Sequence, residues 1–150
     1  MKVETSGIDE VLDAMGRMQQ LTGDTAKAML RAGGNVFQRE WISEAQRLRH
    51  VRTGDMIASI GQTNPKDKGG GLQVDIYPQG KGRNGVRNSV KAFVLHYGRD
   101  GKRPIKAEHW VDGVLQNATD ESNAAMADVW GRFIATGNVP VVKKLRKGQK

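Results

Sequence analysis

The spacing of apolar residues changes twice along this chain, and this change constrains the fold more than any other feature. Apolar side chains recur every three or four residues from Ile8 to Leu48, as on one face of a helix. They alternate with polar residues from Leu72 to Tyr77, as in a strand with one buried face. The helical spacing returns at Ala107. Helices at both ends with strands between them predict an α+β fold rather than a parallel sheet.

Two glycine-containing segments predict features of the N-terminal helical region. Thr22-Gly23-Asp24 predicts the end of one helix and the cap of a second. Gly33-Gly34 predicts a kink or a close helix contact, because two glycines cost a helix about 2 kcal/mol relative to alanine. The methionines of these helices are expected to be core residues rather than ligands.

The middle of the chain predicts a hairpin. Thr53 is expected to cap a short helical turn that begins at Asp55, and a strand is expected over residues 59–63. The polar segment 64–71 would then be the long tip that leads into the strand Leu72–Tyr77.

A third strand is expected from Val90 to Tyr97, after a loop rich in Gly, Arg and Asn at residues 78–89. The result is a small antiparallel sheet of three to four strands, packed against long N-terminal helices and a C-terminal helix. These elements make one domain over residues 1–138, followed by a basic tail at residues 139–150. Hydrophobic residues are only 37% of the chain, so part of its stability is expected to come from partners.

The C-terminal helical region also carries cap signals. Thr119 or Asp120 predicts a new cap within it, and Gly137 predicts its end.

The absence of cysteine excludes several kinds of site. Disulfides, thiolate nucleophiles and cysteine-bound metals all need this residue. No apolar run reaches the roughly 20 residues of a membrane helix, and the start of the chain, which contains acids, is unlike a secretory signal. We therefore expect synthesis in the cytoplasm and no membrane contact.

The net charge of +8 is unevenly distributed. Residues 62–106 carry a net charge of +7, residues 107–128 carry −5, and residues 129–150 carry +6. One interpretation is solubility with a flexible end. The other is contact with an anionic surface, either nucleic acid or an acidic protein.

No motif predicts an enzyme, a cofactor or a metal. Gly80-Lys81-Gly82-Arg83-Asn84-Gly85 matches G-x-G-x-x-G, but a strand rather than a helix is expected after it, and a dinucleotide needs the helix N-terminus. His50, His96 and His109 have no metal-binding spacing. The clustered acids lie at helix starts, where the helix dipole explains them.

Several short motifs, in order, resemble a known family. The segment Val51–Ile60, with the sequence V-R-T-G-D-M-I-A-S-I, resembles the V-D-T-G-x-L-x-x-S-I element of the gene-product-ten-like morphogenesis family of lambdoid phages. Gly7–Glu10, Val94–Gly98 and the stretch from Arg103 to Leu115 are similar to further elements of that family in the same order. The resemblance covers roughly residues 3–135.

The resemblance implies a structural role in a virion, at the neck or tail of a phage assembled in its host's cytoplasm. It implies a ring at the head-proximal end of the tail that joins the tail to the head connector. A hexamer is favoured, and a dodecamer is the alternative. Expected partners are the connector or head-closure protein and the tail tube, with a possible contact to packaged DNA and no small-molecule substrate. A small basic protein that binds DNA nonspecifically is the competing hypothesis.

Two groups of residues are expected to matter for this role. The first has architectural roles in the shared motifs: Thr53, Gly54, Ser59, Tyr97, Gly98 and Trp110. The second lies on the basic loops 64–71 and 78–89 and on the tail, and would contact partners or DNA: Lys66, Lys68, Lys81, Arg83, Arg87, Lys143, Lys144, Arg146 and Lys147.

Overall fold

The structure, a computed structural model, describes residues 6–49 and 54–149. Within them, helices lie at both ends of the chain and short antiparallel strands lie between, which confirms the predicted α+β fold. The elements in chain order are α1 (Ser6–Arg47), α2 (Asp55–Ala58), β1 (Ile60–Gln62), β2 (Lys66–Asp67), β3 (Leu72–Gln73), β4 (Ile76–Pro78), α3 (Asn88–Tyr97) and α4 (Trp110–Thr136). None of the helices in these ranges is long and apolar enough to cross a membrane.

Helix α1 is continuous for 42 residues, so the predicted break at Thr22–Asp24 is wrong. The polar side chains there bond within the helix instead of capping a new one. The Thr22 hydroxyl donates to the Met18 carbonyl at 2.8 Å. Hydrogen bonds from Lys27 and Gln20 hold the pKa of Asp24 below its usual value. A threonine that bonds to the preceding turn leaves the helix intact.

Helices α1 and α4 pack antiparallel. Glu40 accepts a hydrogen bond from Asn117 at 3.2 Å, whereas Gly33, further towards the start of α1, lies against Ser122 and Met126. A Cβ added at Gly33 would lie 2.7 Å from the Ser122 hydroxyl oxygen. The glycine therefore permits close approach of the two helices, which confirms the predicted helix contact.

The strands form one interrupted hairpin. β1 pairs with β4, with Ile60 opposite Pro78, and β2 pairs with β3 nearer the tip. At the interruption, the Thr63 amide donates to the Asp75 carbonyl at 2.9 Å. The predicted hairpin is therefore present, but both of its strands are interrupted, so that it consists of two two-stranded pieces and β2 lies within the predicted tip 64–71.

The segment predicted as a third strand, Val90–Tyr97, is helical and forms most of α3, so that prediction is wrong. α3 buries Asn88, Ala92 and His96, which are spaced four residues apart on one face. Large apolar side chains such as Phe93 are exposed instead. Because polar and small residues form the buried face, the hydrophobic pattern does not reveal the helical period.

Helix α4 also continues through a predicted cap. Thr119 donates its hydroxyl to the Leu115 carbonyl within α4, so the expected interruption at Thr119 or Asp120 is wrong. The predicted end is confirmed, because Gly137 adopts φ 68° and its amide bonds to the Phe133 carbonyl. Glycine favours this left-handed conformation at a helix C-terminus.

The core lies where α1, α2, β1, α3 and α4 meet. Trp110, which is buried in this core, packs against the partly buried Trp41, with ring centroids 5.6 Å apart. The buried residues of this cluster are Ile42, Ala45, Met56, Ile57, Ile60, Ala92 and Trp110.

Residues 139–149 contain no helix or strand and lie against α1 and β1. Gln38 donates to the Arg146 carbonyl at 2.6 Å, and the Gly148 amide donates to the Ile60 carbonyl at 2.8 Å. The Leu145 amide donates to the Asn35 side chain at 3.0 Å. Hydrogen bonds in both directions between this segment and polar groups of α1 and β1 thus hold it in place.

Replacing Gly148 by valine is expected to detach the end of the chain. Gly148 has φ 68°, and a Cβ there would lie 2.7 Å from the Ala58 Cα. The Leu145 and Gly148 amides should then exchange with solvent faster in hydrogen-exchange experiments, while the α1 amides stay protected. Val141→Ala is the control, because Val141 is exposed. Unchanged protection in Gly148→Val would contradict these contacts.

Candidate functional site

A groove of about 610 Å³ is lined by apolar and cationic residues, and we call it the basic groove. It lies between the end of α1, the start of α2, the loop after β4, and α3. Its lining includes the apolar residues Met56, Val90, Val94, Leu95 and Ile105, which we call its floor. Four cationic residues also line it, and we call them its rim: Arg49, Arg83, Lys91 and Arg99.

Hydrogen bonds position the rim. The Arg83 guanidinium lies 3.2 Å from Asp55, whose carboxylate also accepts the Arg83 amide at 3.0 Å. Lys91 donates to the Asn88 side chain at 3.2 Å, and Arg99 donates to the Arg103 carbonyl at 2.9 Å. The Arg83 side chain remains 83% exposed. An apolar floor with a fixed cationic rim suits an anionic partner that also has apolar groups.

Helix α1 carries an exposed apolar stripe at the opposite end of the molecule. Val11, Leu12, Met15, Met18 and Leu21 are all exposed, and we call them the apolar stripe. The expectation that the methionines are core residues is therefore wrong for Met15 and Met18. α4 does not cover this part of α1, because the antiparallel register carries the end of α4 only to about the level of Leu21.

A cleft of about 240 Å³ lies on the other side of α3. Tyr97 and Phe93 line it, with ring centroids 4.6 Å apart, and Trp41 also contributes. Both α3 aromatic side chains are exposed.

Three potential metal ligands meet near the start of α4. One ligand atom each from His96, His109 and Asp112 lies within 4.8 Å of the others. However, His96 Nδ1 accepts a hydrogen bond from the Val111 amide at 3.3 Å. Its Nε2 therefore carries the proton in the neutral ring, whereas a metal needs that nitrogen unprotonated. The arrangement favours a histidine that satisfies the helix terminus over a metal ligand.

The sequence of this chain is similar to that of a known protein family. A family model described as "Bacteriophage HK97-gp10, putative tail-component" matches residues 9–99, which is more than half of the chain. The chain belongs to this family. The match confirms the resemblance inferred from the short motifs over residues 9–99, which span most of α1, the hairpin and α3. No curated protein and no solved structure matches the chain.

The architectural residues of this HK97 gp10-like chain fall at element ends. Gly54, with φ 70°, occupies the N-cap of α2. Thr53, the predicted cap, lies outside the described residues. Ser59 ends α2, and its hydroxyl donates to the Met56 carbonyl at 2.7 Å. Gly98 is the C-cap of α3 and has φ 79°, and a Cβ added there would lie 2.7 Å from the Ile105 carbonyl oxygen.

The remaining two architectural residues have different environments. Trp110 is buried in the core at the start of α4. Tyr97 is the last residue of α3 and is exposed.

The basic residues predicted to contact partners do not form one site. Arg83 is on the rim of the basic groove. Lys81 and Arg87 pair through their backbones in an isolated antiparallel β-bridge, which closes the loop beside the groove. Lys68 pairs with Asp75 on the hairpin at 2.6 Å, and Lys66 lies in β2.

The tail cations lie elsewhere. Lys144 donates to the Asn64 side chain at 3.1 Å, which brings the tail beside the hairpin. Lys143, Arg146 and Lys147 follow the same segment. Their contacts with partners or DNA remain predictions.

Sequence reasoning missed three of the four rim residues: Arg49, Lys91 and Arg99. Lys91 could have been found only by assigning α3 as a helix, because the helix places it beside Val94 and Leu95. Arg49 and Arg99 are distant in sequence, and no local sequence pattern indicates that they line the same groove.

The glycine motif of residues 80–85 is followed by a helix, so the expected strand after it is wrong. The preceding strand β4 nevertheless belongs to a two-stranded antiparallel pair. A dinucleotide fingerprint needs a parallel sheet before the helix. The segment is a closed basic loop instead, with the Gly82 amide bonded to the Val86 carbonyl at 3.0 Å.

Proposed function

We propose that this phage tail component is a non-enzymatic subunit of a homo-oligomeric ring at the head-proximal end of the tail. The ring would join the tail to the head connector in the virion and leave a central passage for DNA. A hexamer is favoured, because the tail tubes implied by the resemblance are hexameric, and a dodecamer that follows the connector is the alternative. Heterologous contacts that close on themselves produce such rings.

The observation that carries this proposal is the exposed apolar surface on a member of a tail-component family. The stripe on α1, the aromatic pair on α3 and Trp130 on α4 are all exposed. Contiguous apolar patches on monomeric proteins are small, so larger ones mark interaction sites. A chain that is stable only with partners also fits its low hydrophobic content of 37%.

The basic loops and tail would provide the contacts with other proteins of the neck and tail. Loops 64–71 and 78–89 project cations from the body. An acidic surface on the connector or tube would meet them, and packaged DNA is the other anionic surface nearby.

A non-enzymatic role agrees with the polar groups around the basic groove and the cleft on the other side of α3. Asp55 is engaged by Arg83, and His96 is engaged by the Val111 amide. Neither arrangement couples a nucleophile to a base.

Light scattering of the purified full chain tests ring formation. We expect a mass six times that of the chain, or twelve times in the alternative, at high protein concentration. A monomer at every concentration would contradict a ring formed by this protein alone.

Binding of duplex DNA, titrated against salt, separates the ring from the competing hypothesis. Exposed cations such as Arg83 give the DNA hypothesis its support. We expect weak binding, with a Kd above about 10⁻⁶ M at physiological salt. A monomer that binds more tightly, with a steep loss of affinity as salt rises, would favour a DNA-binding protein.

A further inference from the structure

A polar surface of α1 and β1 binds residues 143–149, which we call the arm. None of the arm residues is fully buried. The surface under them, which we call the seat, consists of four residues: Asn35, Gln38, Ile60 and Gln62. The Asn35 side chain donates to the Lys143 carbonyl and accepts the Leu145 amide, both at 3.0 Å. One amide group that bonds both backbone partners in this way holds an extended segment in a fixed direction.

Two glutamines complete the seat but are not fully bonded. Gln62 donates to the Asn35 side-chain oxygen at 2.6 Å, and Gln38 donates to the Arg146 carbonyl at 2.6 Å. Both glutamines are buried, yet the side-chain oxygen of each accepts no hydrogen bond from the residues that the structure describes. Buried polar atoms are nearly always paired. An arm that reaches the seat from the same chain therefore satisfies it only in part.

Close contacts at two glycines make the fit specific. The Gly148 amide donates to the Ile60 carbonyl at 2.8 Å, and a Cβ added at Gly148 would lie 2.7 Å from the Ala58 Cα. On the other side of the contact, a Cβ added at Gly61 would lie 2.9 Å from the Lys147 Cγ. All these contacts lie between the arm and the surface below it, so the arm of any copy can make them.

The connector from α4 to the arm, residues 137–142, has little slack. α4 ends near the level of Leu21, whereas the arm begins beside Asn35. Because α1 rises 1.5 Å per residue, these levels are about 21 Å apart. Seven residues lead from Thr136 to the start of the arm, and fully extended they span at most about 25 Å. Hydrogen bonds between Asn138 and Thr136 shorten this reach.

We propose that the arm of one copy of this chain docks on the seat of a neighbouring copy in the assembled protein. Exchange keeps the same hydrogen bonds and therefore costs little. A connector with little slack gives the arm's own chain no large advantage in effective concentration and favours exchange. On a neighbour's seat the arm is released from this limit and can move its donors towards the unpaired oxygens of Gln38 and Gln62.

The contact is heterologous, since each copy gives its arm to one neighbour and receives the arm of another. Repetition of such a contact around an axis closes a ring, so the inference rests on the proposed function and specifies one contact of the ring. Two other arrangements compete with it. The arm could stay on its own chain in the assembled protein, or two copies could exchange arms with each other and form a closed pair.

A pair of introduced cysteines reports where the arm lies. Gly61→Cys and Lys147→Cys are placed in the same full-length chain, which has no other cysteine. The two positions are in contact where the arm meets β1. After mild oxidation, an arm on its own seat gives a disulfide-closed monomer, whereas an exchanged arm links one chain to the next. Non-reducing electrophoresis separates these products.

We expect a ladder of linked chains that extends to the size of the oligomer measured by light scattering. Linked chains should exceed closed monomer at least about tenfold, the ratio that a preference of about 1.4 kcal/mol gives. The matched control replaces Lys147→Cys by Val141→Cys, because Val141 is in the connector and 85% exposed. This control should form at least about tenfold less linked product, by the same conversion.

Three outcomes of the cysteine experiment would overturn the proposal. A disulfide-closed monomer as the main product would show that the arm stays on its own chain. A product that stops at two chains would show mutual exchange in a closed pair. The absence of any disulfide would show that the arm does not lie at Gly61.

A second measurement changes the length of the connector. Deletion of Val141 and Val142 removes about 7 Å of reach, so the arm no longer reaches its own seat. The Leu145 and Gly148 amides should nevertheless stay protected from hydrogen exchange while the chains are associated, and should lose protection on dilution. Loss of protection at every concentration would overturn the proposal, because the arm would then dock only within its own chain.

Insertion of six alternating Gly and Ser residues after Val141 is the matched variant. The arm can then reach its own seat more readily, which competes with exchange. We expect half-association at a protein concentration at least about tenfold higher than for the wild type. Unchanged association of this variant would overturn the proposal.

These results separate the inference from the proposed function. If wild-type chains form a ring-sized oligomer but the double-cysteine chain closes on itself, the ring uses other surfaces and only arm exchange fails. If the wild type is monomeric at every concentration and the double-cysteine chain closes on itself, both arm exchange and self-assembly into a ring fail.

Discussion

Replacing Trp110 by alanine should lower the free energy of unfolding by about 3–5 kcal/mol, the usual cost of removing a buried Trp. Trp110 is 2% exposed and packs against Trp41 at the meeting point of α1 and α4. Its loss leaves a cavity between the two longest helices. Because small domains are stable by only about 5–15 kcal/mol, the effect should be visible in denaturant unfolding followed by circular dichroism.

The matched control is Trp130→Ala. Trp130 is on the same helix but is 41% exposed, so the same truncation should cost much less. Trp110→Phe keeps most of the buried ring and should remain folded if the alanine variant does not. Equal destabilisation by the two alanine variants would contradict a core centred on Trp110.

Replacing Gly33 by leucine should be the next most damaging change, at about 1–3 kcal/mol or more from overpacking. A Cβ there would lie 2.7 Å from the Ser122 hydroxyl oxygen and 3.2 Å from the Met126 side chain. The helices would have to separate, and contacts along their length would weaken. Thermal or denaturant unfolding of the purified chain measures this.

Gly16→Leu is the control for Gly33→Leu. Gly16 lies in the same helix, and a Cβ added there would meet no described atom within 4 Å outside the neighbouring turns of α1. Leucine there should stabilise the helix by up to about 1 kcal/mol, because glycine is a poor helix former. If the two variants have the same stability, α1 and α4 do not approach each other closely at Gly33.

The helices at both ends of the chain and the hairpin between them were predictable because they depend on the local spacing of apolar residues. The breaks expected at Thr22–Asp24 and Thr119 failed because those hydroxyls bond within the helix, a choice that the sequence does not reveal. The prediction of a strand at the position of α3 was wrong for a different reason. Its buried face is Asn88, Ala92 and His96, while the large apolar residues that dominate the pattern lie outside.

The candidate site was predictable only in part. Arg83 was identified from the charge of its loop, and it does lie on the rim of the basic groove. Arg49 and Arg99 join it only through folding, since they are distant in sequence. The apolar stripe, which contains Met15 and Met18, has the period of a core helix. It is exposed because α4 ends before it could cover this part of α1.

The ring proposed for this HK97 gp10-like protein would complete the tail at its head-proximal end and join it to the head. The most direct test is electron microscopy of negatively stained particles from a phage in which this gene is deleted. We expect full heads beside separate tails, with joining restored by the wild-type gene in trans. Normal particles with heads and tails joined would contradict it, and tails of uncontrolled length would indicate control of tail length instead.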